Sequence, residues 1–419
     1  MKLHALRLSS LSLALVASTA AQQLAPPFDQ SYSFVSLGTP PGVPGSLGGC
    51  TFKIGDPDAL FICGAANGSS GQLFRIGLTR DAQRNITGFS GPAVLVSSAA
   101  NNDGGLEFGP GGVLFFTRYS MNELGMIKPG STAPDKVVAL TPLGMPASVG
   151  SLRLVPAGFP NSGKLKLASY NAGRFATADL VPDGNGTFDV LNLTLGTTPG
   201  GGPEGIFYVP PDSPQFTNFT AMLVCEYSNG AVAAYTIDGN GDPVPATRRP
   251  FLTGLSGAEG AAIDPISGNF VFSTFGGGNQ VLAVRGFGLP CGAVNPYGQG
   301  LAGSGGQVPL LDTVGCFARH QTVQFTTSNG FGGAPGVFLA GLQSISVPIY
   351  GGTLLVQPFT VIAHVLQGSG AGNGTFGLPL PIPDNTHLLN TDFYFQSAYF
   401  DTGAPQSFSF TRGINLRVR

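Results

Sequence analysis

Five stretches of this chain repeat one order of features about every 50 residues, and that repetition limits the fold more than any other property. Each unit opens with a Gly-containing apolar strand that runs up to a proline: Pro57, Pro110, Pro156, Pro210 and Pro265. A short turn follows, then a strongly apolar run: ALFICG, VLFFTRY, KLKLASY, AMLVCEY or NFVFSTF. Next comes a small turn containing Asn67, Asn122, Asn171, Asn229 or Asn279, and a third strand. A more polar fourth strand closes the unit. Gly and Asn suit the turns, because two-residue hairpins need positive φ. A four-stranded sheet of this kind cannot bury both faces alone. Stacking such sheets around an axis buries them and leaves only short edges. The expectation is an all-β chain: a five-bladed β-propeller, with a sixth, degenerate blade as the alternative count. The last unit shows three strands, so Tyr32–Leu37 (YSFVSL) is expected to supply its outer strand.

Composition agrees with many turns and few exposed helices. Of 419 residues, 64 are Gly and 34 Pro, while only 10% are charged. The formal net charge of −2 leaves no electrostatic footprint for nucleic acid. Lys2 and Arg7, the apolar run Leu11–Ala17 and the small residues Ser18–Ala21 read as a secretory signal over residues 1–21, cleaved before Gln22. No later stretch is long enough to span a bilayer. The mature chain is thus expected to be secreted (extracellular, periplasmic or at a cell surface), with no transmembrane segment. Export permits disulfides. Cys291 with Cys316 is the preferred pair and Cys50 with Cys63 a weaker one; five cysteines leave one over.

From about Cys291 the repeat stops. A Gly-rich link at 289–306 follows the propeller (22–288), and alternating apolar runs over 307–419 (TVQFTTS, GVFLAGL, TLLVQPFTVIAHV, DFYFQSAYF) predict a small antiparallel β-sandwich.

The runs GGLEFGPGGVLFFTRYSMNELGMIKPGS, GGPEGIFYVPPDSP and GAEGAAIDPISGNFVFSTFGGGNQVLAVRGF resemble a family of exported bacterial propeller proteins, many with a PEP-CTERM sorting tail. The resemblance covers roughly residues 40–287 and implies a propeller related to the NHL and SMP-30-like class. The Pro-Glu-Pro motif, apolar helix and basic cluster of that tail are missing here. The pieces YGQGLAGSGGQVPLL, GGTLLVQP, GLPLPIPDN and DFYFQSAYFD resemble a C-terminal module of exported planctomycete-type proteins.

Catalytic residues are scarce. His320, His364 and His387 all lie in the C-terminal region, so a Ser-His-Asp arrangement inside the propeller is excluded. No nucleophile elbow, P-loop or dinucleotide fingerprint occurs. The acidic candidates stand out instead. Glu204 and Glu259 hold the same repeat position, just before the innermost strand; Asp103 sits one position earlier in its repeat, with Glu107 nearby. In the SMP-30-like class, side chains at the channel hold a divalent cation that assists lactone hydrolysis, which makes Ca2+ the candidate cofactor. The competing reading is that each Glu bonds backbone amides of the next blade. Two DGNG turns, at Asp183 and Asp238, are explained as hairpin turns. Tyr119, Tyr170 and Tyr227 recur at the end of the second strand and are candidates for a rim that contacts protein or glycan. The function expected is an exported, non-enzymatic binding or surface-structural role, with an extracellular protein, glycan or envelope component as partner. The alternative is a metal-assisted, lactonase-like hydrolase.

Overall fold

The computed structural model describes residues 21–53, 56–210, 213–217, 220–288, 295–314, 317, 321–388 and 391–418. The expected signal segment lies, except for Ala21, outside the described residues, as do Cys291, Cys316 and His320. The described chain is all-β. Its only helical pieces are three-residue 3-10 turns, and no helix is long and apolar enough to cross a membrane.

Five antiparallel sheets occupy residues 23–285. Sheet I comprises Cys50–Lys53, Asp56–Gly64 and Gln72–Arg80, whose third strand pairs with both Ile86–Phe89 and Val94–Ser98. Sheet II comprises Asn102–Phe108, Leu114–Arg118, Glu123–Ile127 and Lys136–Ala139. Sheet III runs through Val149–Leu154, Leu165–Ser169, Phe175–Pro182 and Phe188–Leu195. Sheet IV runs through Pro203–Tyr208, Ala221–Glu226, Ala231–Thr236 and Arg249–Thr253, with Gln23–Leu24 added outside. Sheet V holds Ala258–Ile263, Phe270–Thr274, Val281–Arg285 and, as its outer strand, Ser33–Gly38.

The first strands of the five sheets touch in cyclic order, I to II to III to IV to V and back to I. Each junction has its own apolar core, because the second strands are buried on both faces and alternate residues point to opposite neighbours. Phe61 and Leu73 meet Leu114 and Phe116 between sheets I and II. Phe115 and Leu124 meet Leu165 and Leu167 between II and III. Phe175 meets Met222 between III and IV, and Phe207 meets Phe270 between IV and V. Leu60 and Ile76 meet Val271 and Ala283 where V returns to I. The architecture is that of a β-propeller.

The same alternation overturns the Cys50–Cys63 pairing. Cys50 lies opposite Ile62 in the ladder, so Cys63 points to the other face of sheet I and enters a different core. Both cysteines are free and buried.

The remaining strands form two sheets. One holds Pro335–Ile349, Gly352–Val365, Asp392–Phe400, Gly413–Arg417 and Asn295–Tyr297, with Phe408–Phe410 on Asp392–Phe400. The other holds Leu310–Val314, Thr322–Gly332 and Gly370–Pro381. Phe325 of the second sheet packs on Phe338 and Phe395 of the first, with ring centroids 5.0 and 4.6 Å apart.

Candidate functional site: three carboxylates on the axis

Four of the five inner strands carry a register irregularity near their start. It falls between Asn102 and Leu106, Val149 and Ser151, Pro203 and Ile206, and Ala258 and Ala261. A bulge of this kind removes residues from the ladder and re-aims their side chains. Counting two residues back from Cys50, Leu106, Leu152, Ile206 and Ala261, which face Ile62, Phe116, Leu167, Val224 and Phe272 in their ladders, places Gly48, Gly104, Gly150, Glu204 and Glu259 at one equivalent position. In sheet II the irregular stretch is one residue longer, and that extra residue brings Asp103 into the same space.

Asp103, Glu204 and Glu259 are 1%, 2% and 1% exposed, and each offers a carboxylate oxygen within 4.8 Å of the others. Both oxygens of Asp103, both of Glu259 and Oε2 of Glu204 are buried without a hydrogen-bond partner. Glycine at the remaining ring positions makes room for them. A Cβ at Gly150 would stand 2.6 Å from Glu204 Oε2, and one at Gly104 would stand 2.7 Å from it.

Burial without a counter-cation sets the electrostatics. It pushes the Asp103 carboxyl up to about 7, against the opposing effects of Glu259, the Asn67 amide, Glu204 and the Gly104 amide. Burial and then the charge of Asp103 hold Glu204 well above the ordinary range. Burial, Glu204 and Asp103 do the same to Glu259. A set of carboxylates that is costly to ionise and leaves five of its six oxygens without a hydrogen-bond partner suits a hard divalent cation, which takes oxygen ligands and removes the mutual repulsion.

Glu107 does not join the group. It lies four residues along the inner strand from Asp103, at about 3.3 Å per residue. There it accepts from Leu154 N at 2.5 Å and faces Arg153, whose Nη1 reaches Ala261 O at 3.3 Å.

The inner strands are bound sideways by short side chains of the second strands. Thr117 Oγ1 accepts from Gly105 N and donates to Gly150 O of the next sheet, both at 3.0 Å. Ser273 Oγ accepts from Gly260 N at 2.9 Å and donates to Gly48 O at 2.6 Å. Cys225 holds the matching place in sheet IV, with Sγ 4.0 Å from Gly260 O.

Tyr119, Tyr170 and Tyr227 do come together. Their rings meet edge to face, with centroids 5.5 and 5.8 Å apart, and Phe275 extends the arc at 6.0 Å from Tyr227. Phe275 holds the same column of its repeat as the three tyrosines, a place that a search for recurring tyrosine misses. Asp183 and Asp238 accept from backbone amides within their own turns, Asn185 N and Asn240 N, each at 2.8 Å. His364 stacks on Phe376 at 3.6 Å, far along the chain from the carboxylates.

No protein-family model and no curated protein matches the chain. Among solved structures, it is similar to an exo-β-1,3-galactanase from Phanerochaete chrysosporium, at 11% identity over 91% of this chain and 100% of that one, with a TM-score of 0.37. It is also similar to a PQQ-bound aldose sugar dehydrogenase from Streptomyces coelicolor, at 11% identity over 61% of this chain and 98% of that one, TM-score 0.32. A third is the β-propeller domain of Cps50 (Swd1) from Myceliophteria thermophila, at 9% identity over 57% of this chain and 82% of that one, TM-score 0.29. At these scores no activity is carried over from any of them.

Proposed function

We propose that this chain is an exported, non-enzymatic binding or surface-structural protein: a five-bladed propeller with a divalent cation on its axis, followed by a β-sandwich module. The supporting observation is the burial of Asp103, Glu204 and Glu259 within 4.8 Å of one another, with five oxygens lacking partners. Their carboxylates come from the inner strands of sheets II, IV and V, so one cation held by all three would tie those strands together. A hydrolytic role needs a coordination position that substrate can reach. Carboxylates exposed by 1–2% argue against that rival. The two exterior faces, including the tyrosine arc, then carry any partner contact.

Isothermal titration with calcium chloride, after stripping with a chelator, tests the reading. One calcium per chain is expected, with uptake lost in Glu204→Gln/Glu259→Gln. Equal uptake by that variant, or none by the parent, overturns it.

A further inference from the structure

One side of the C-terminal sheets is built without charge. Between Arg319 and Asp384 there is no Asp, Glu, Lys or Arg, although 10% of the whole chain is charged. Four long strands fall in that interval: Thr322–Gly332, Pro335–Ile349, Gly352–Val365 and Gly370–Pro381. Among the described strands, Gly352–Val365 is outermost in one sheet and Gly370–Pro381 in the other. These two edges lie on the same side. His364 stacks on Phe376 at 3.6 Å, and Gln367 bridges to Thr375 just past the first strand. Burial holds His364 toward its neutral form.

Edge strands are ordinarily blunted by charge, by proline or by a bulge. Gly370–Pro381 carries Pro379 and Pro381. In Gly352–Val365 the protection ends early: Pro358 pairs with Gly341 and Thr360 with Ala340, so Phe359 is the bulged residue. The stretch Phe359–Val365 (FTVIAHV) then contains no proline, glycine or formal charge. Phe359, Val361 and Val365 are 60%, 56% and 58% exposed. Leu366 N donates to Ala334 O, on the side of the neighbouring strand. Backbone groups alternate in direction along a strand, so those of Val361 and Ala363 turn to the open side.

We propose that Phe359–Val365 pairs antiparallel with the same stretch of a second copy of this chain, about a two-fold axis beside Ile362. That register sets Val361 against Ala363 of the second copy, where both turn their backbone groups outward, and Phe359 against Val365. A second copy is the occupant this edge suits. Uncharged edges do not repel their own copies, and they offer a foreign protein no charge pattern to recognise. Size agrees. The edge is roughly 45 Å long, from 14 residues at about 3.4 Å each, and about 10 Å deep across the two sheets, on the order of 450 Å2 before side chains are counted. The exposed side chains of Phe359, Val361 and Val365 carry it toward the ~800 Å2 per partner of a stable interface. The pairing is independent of the axial cation.

Sedimentation velocity of the full chain, at concentrations rising to about 100 µM, tests the pairing. A two-copy species is expected in the parent. Val361→Lys puts like charges close to the axis and should raise the dissociation constant by roughly a hundredfold. Its circular dichroism should stay that of the parent, because the side chain is exposed. Phe359→Ala adds no charge and should weaken the pair by about tenfold. Mixing Val361→Lys with Val361→Asp should restore two-copy association, since opposite charges then meet near the axis. A parent that stays single at the highest concentration overturns the pairing and leaves the edge to a different protein. A pair that survives both Val361→Lys and Phe359→Ala lies on another face and overturns it as well. Failure of the mixture to associate, or growth of the parent beyond two copies, overturns the two-fold arrangement.

Discussion

Ser273 binds the end of the ring to its beginning: its hydroxyl donates to the carbonyl of Gly48 at 2.6 Å, across 225 positions of sequence. The same oxygen accepts from Gly260 N. Ser273→Ala therefore strands one buried carbonyl and one buried amide. A loss of roughly 2–4 kcal/mol in unfolding free energy is expected from urea titration. Ser273→Cys should recover part of it, since Cys225 serves at the matching place in sheet IV.

The axial carboxyls make stability depend on pH with a definite sign. Asp103 is raised to about 7, and Glu204 and Glu259 are raised well above the ordinary range, so the native chain keeps protons that the unfolded chain releases in the ordinary carboxyl range. Their contribution is complete below that range and falls as pH rises through the native values. Glu226 runs the other way. Burial would raise it, but Arg248, Tyr235 and Asn229 outweigh that, so its contribution is lost only under acid conditions. In chelator the unfolding midpoint should therefore be lower at pH 8 than at pH 5.5. Saturating calcium should remove most of the difference; a midpoint that rises over this interval in chelator contradicts the assignment.

A buried ion pair holds sheet III to the turn that follows the third strand of sheet IV. Lys166 Nζ lies 2.6 Å from Asp242 Oδ1, with the two side chains 0% and 4% exposed, and it also donates to Asn240 O. Asp242→Ala leaves the ammonium buried and should cost about 3–5 kcal/mol. Lys166→Met/Asp242→Leu, which removes both charges, should be markedly more stable than the single variant in the same thermal unfolding experiment.

Space at the axis is as necessary as the carboxylates. A Cβ at Gly150 would stand 2.6 Å from Glu204 Oε2 and 2.9 Å from Oε1. Gly150→Ala should displace that carboxylate, cost about 1–3 kcal/mol, and abolish calcium uptake with every ligand residue intact. Circular dichroism would show the fold retained.

Much of this was legible in the residues. The proline spacing and the apolar runs carry the sheet order, because a second strand buried on both faces must be continuously apolar. Glu204 and Glu259 fall in one column of the repeat, so their meeting on the axis could be anticipated. Asp103 reaches them only through an extra bulged residue in sheet II, which sequence columns do not reveal. Glu107 looked close to Asp103 because it is near in sequence; an extended strand carries it away toward Arg153. Asn67 carried no signal beyond that of a turn residue, since its nearness to Asp103 arises from two different sheets. Cys50 and Cys63 are the weaker pairing in the sequence, and strand alternation sends them to opposite faces.

The placement of Ser33–Gly38 against Val281–Arg285 has a consequence for biosynthesis. Among the segments of the ring, one of the earliest made pairs with one of the last. Gln23–Leu24, made earlier still, likewise waits for Arg249–Thr253. Until translation has passed Arg285, the strand cannot find its neighbour, and sheet V cannot form its outer edge. A chain of this design docks its leading segment only when the ring is nearly whole.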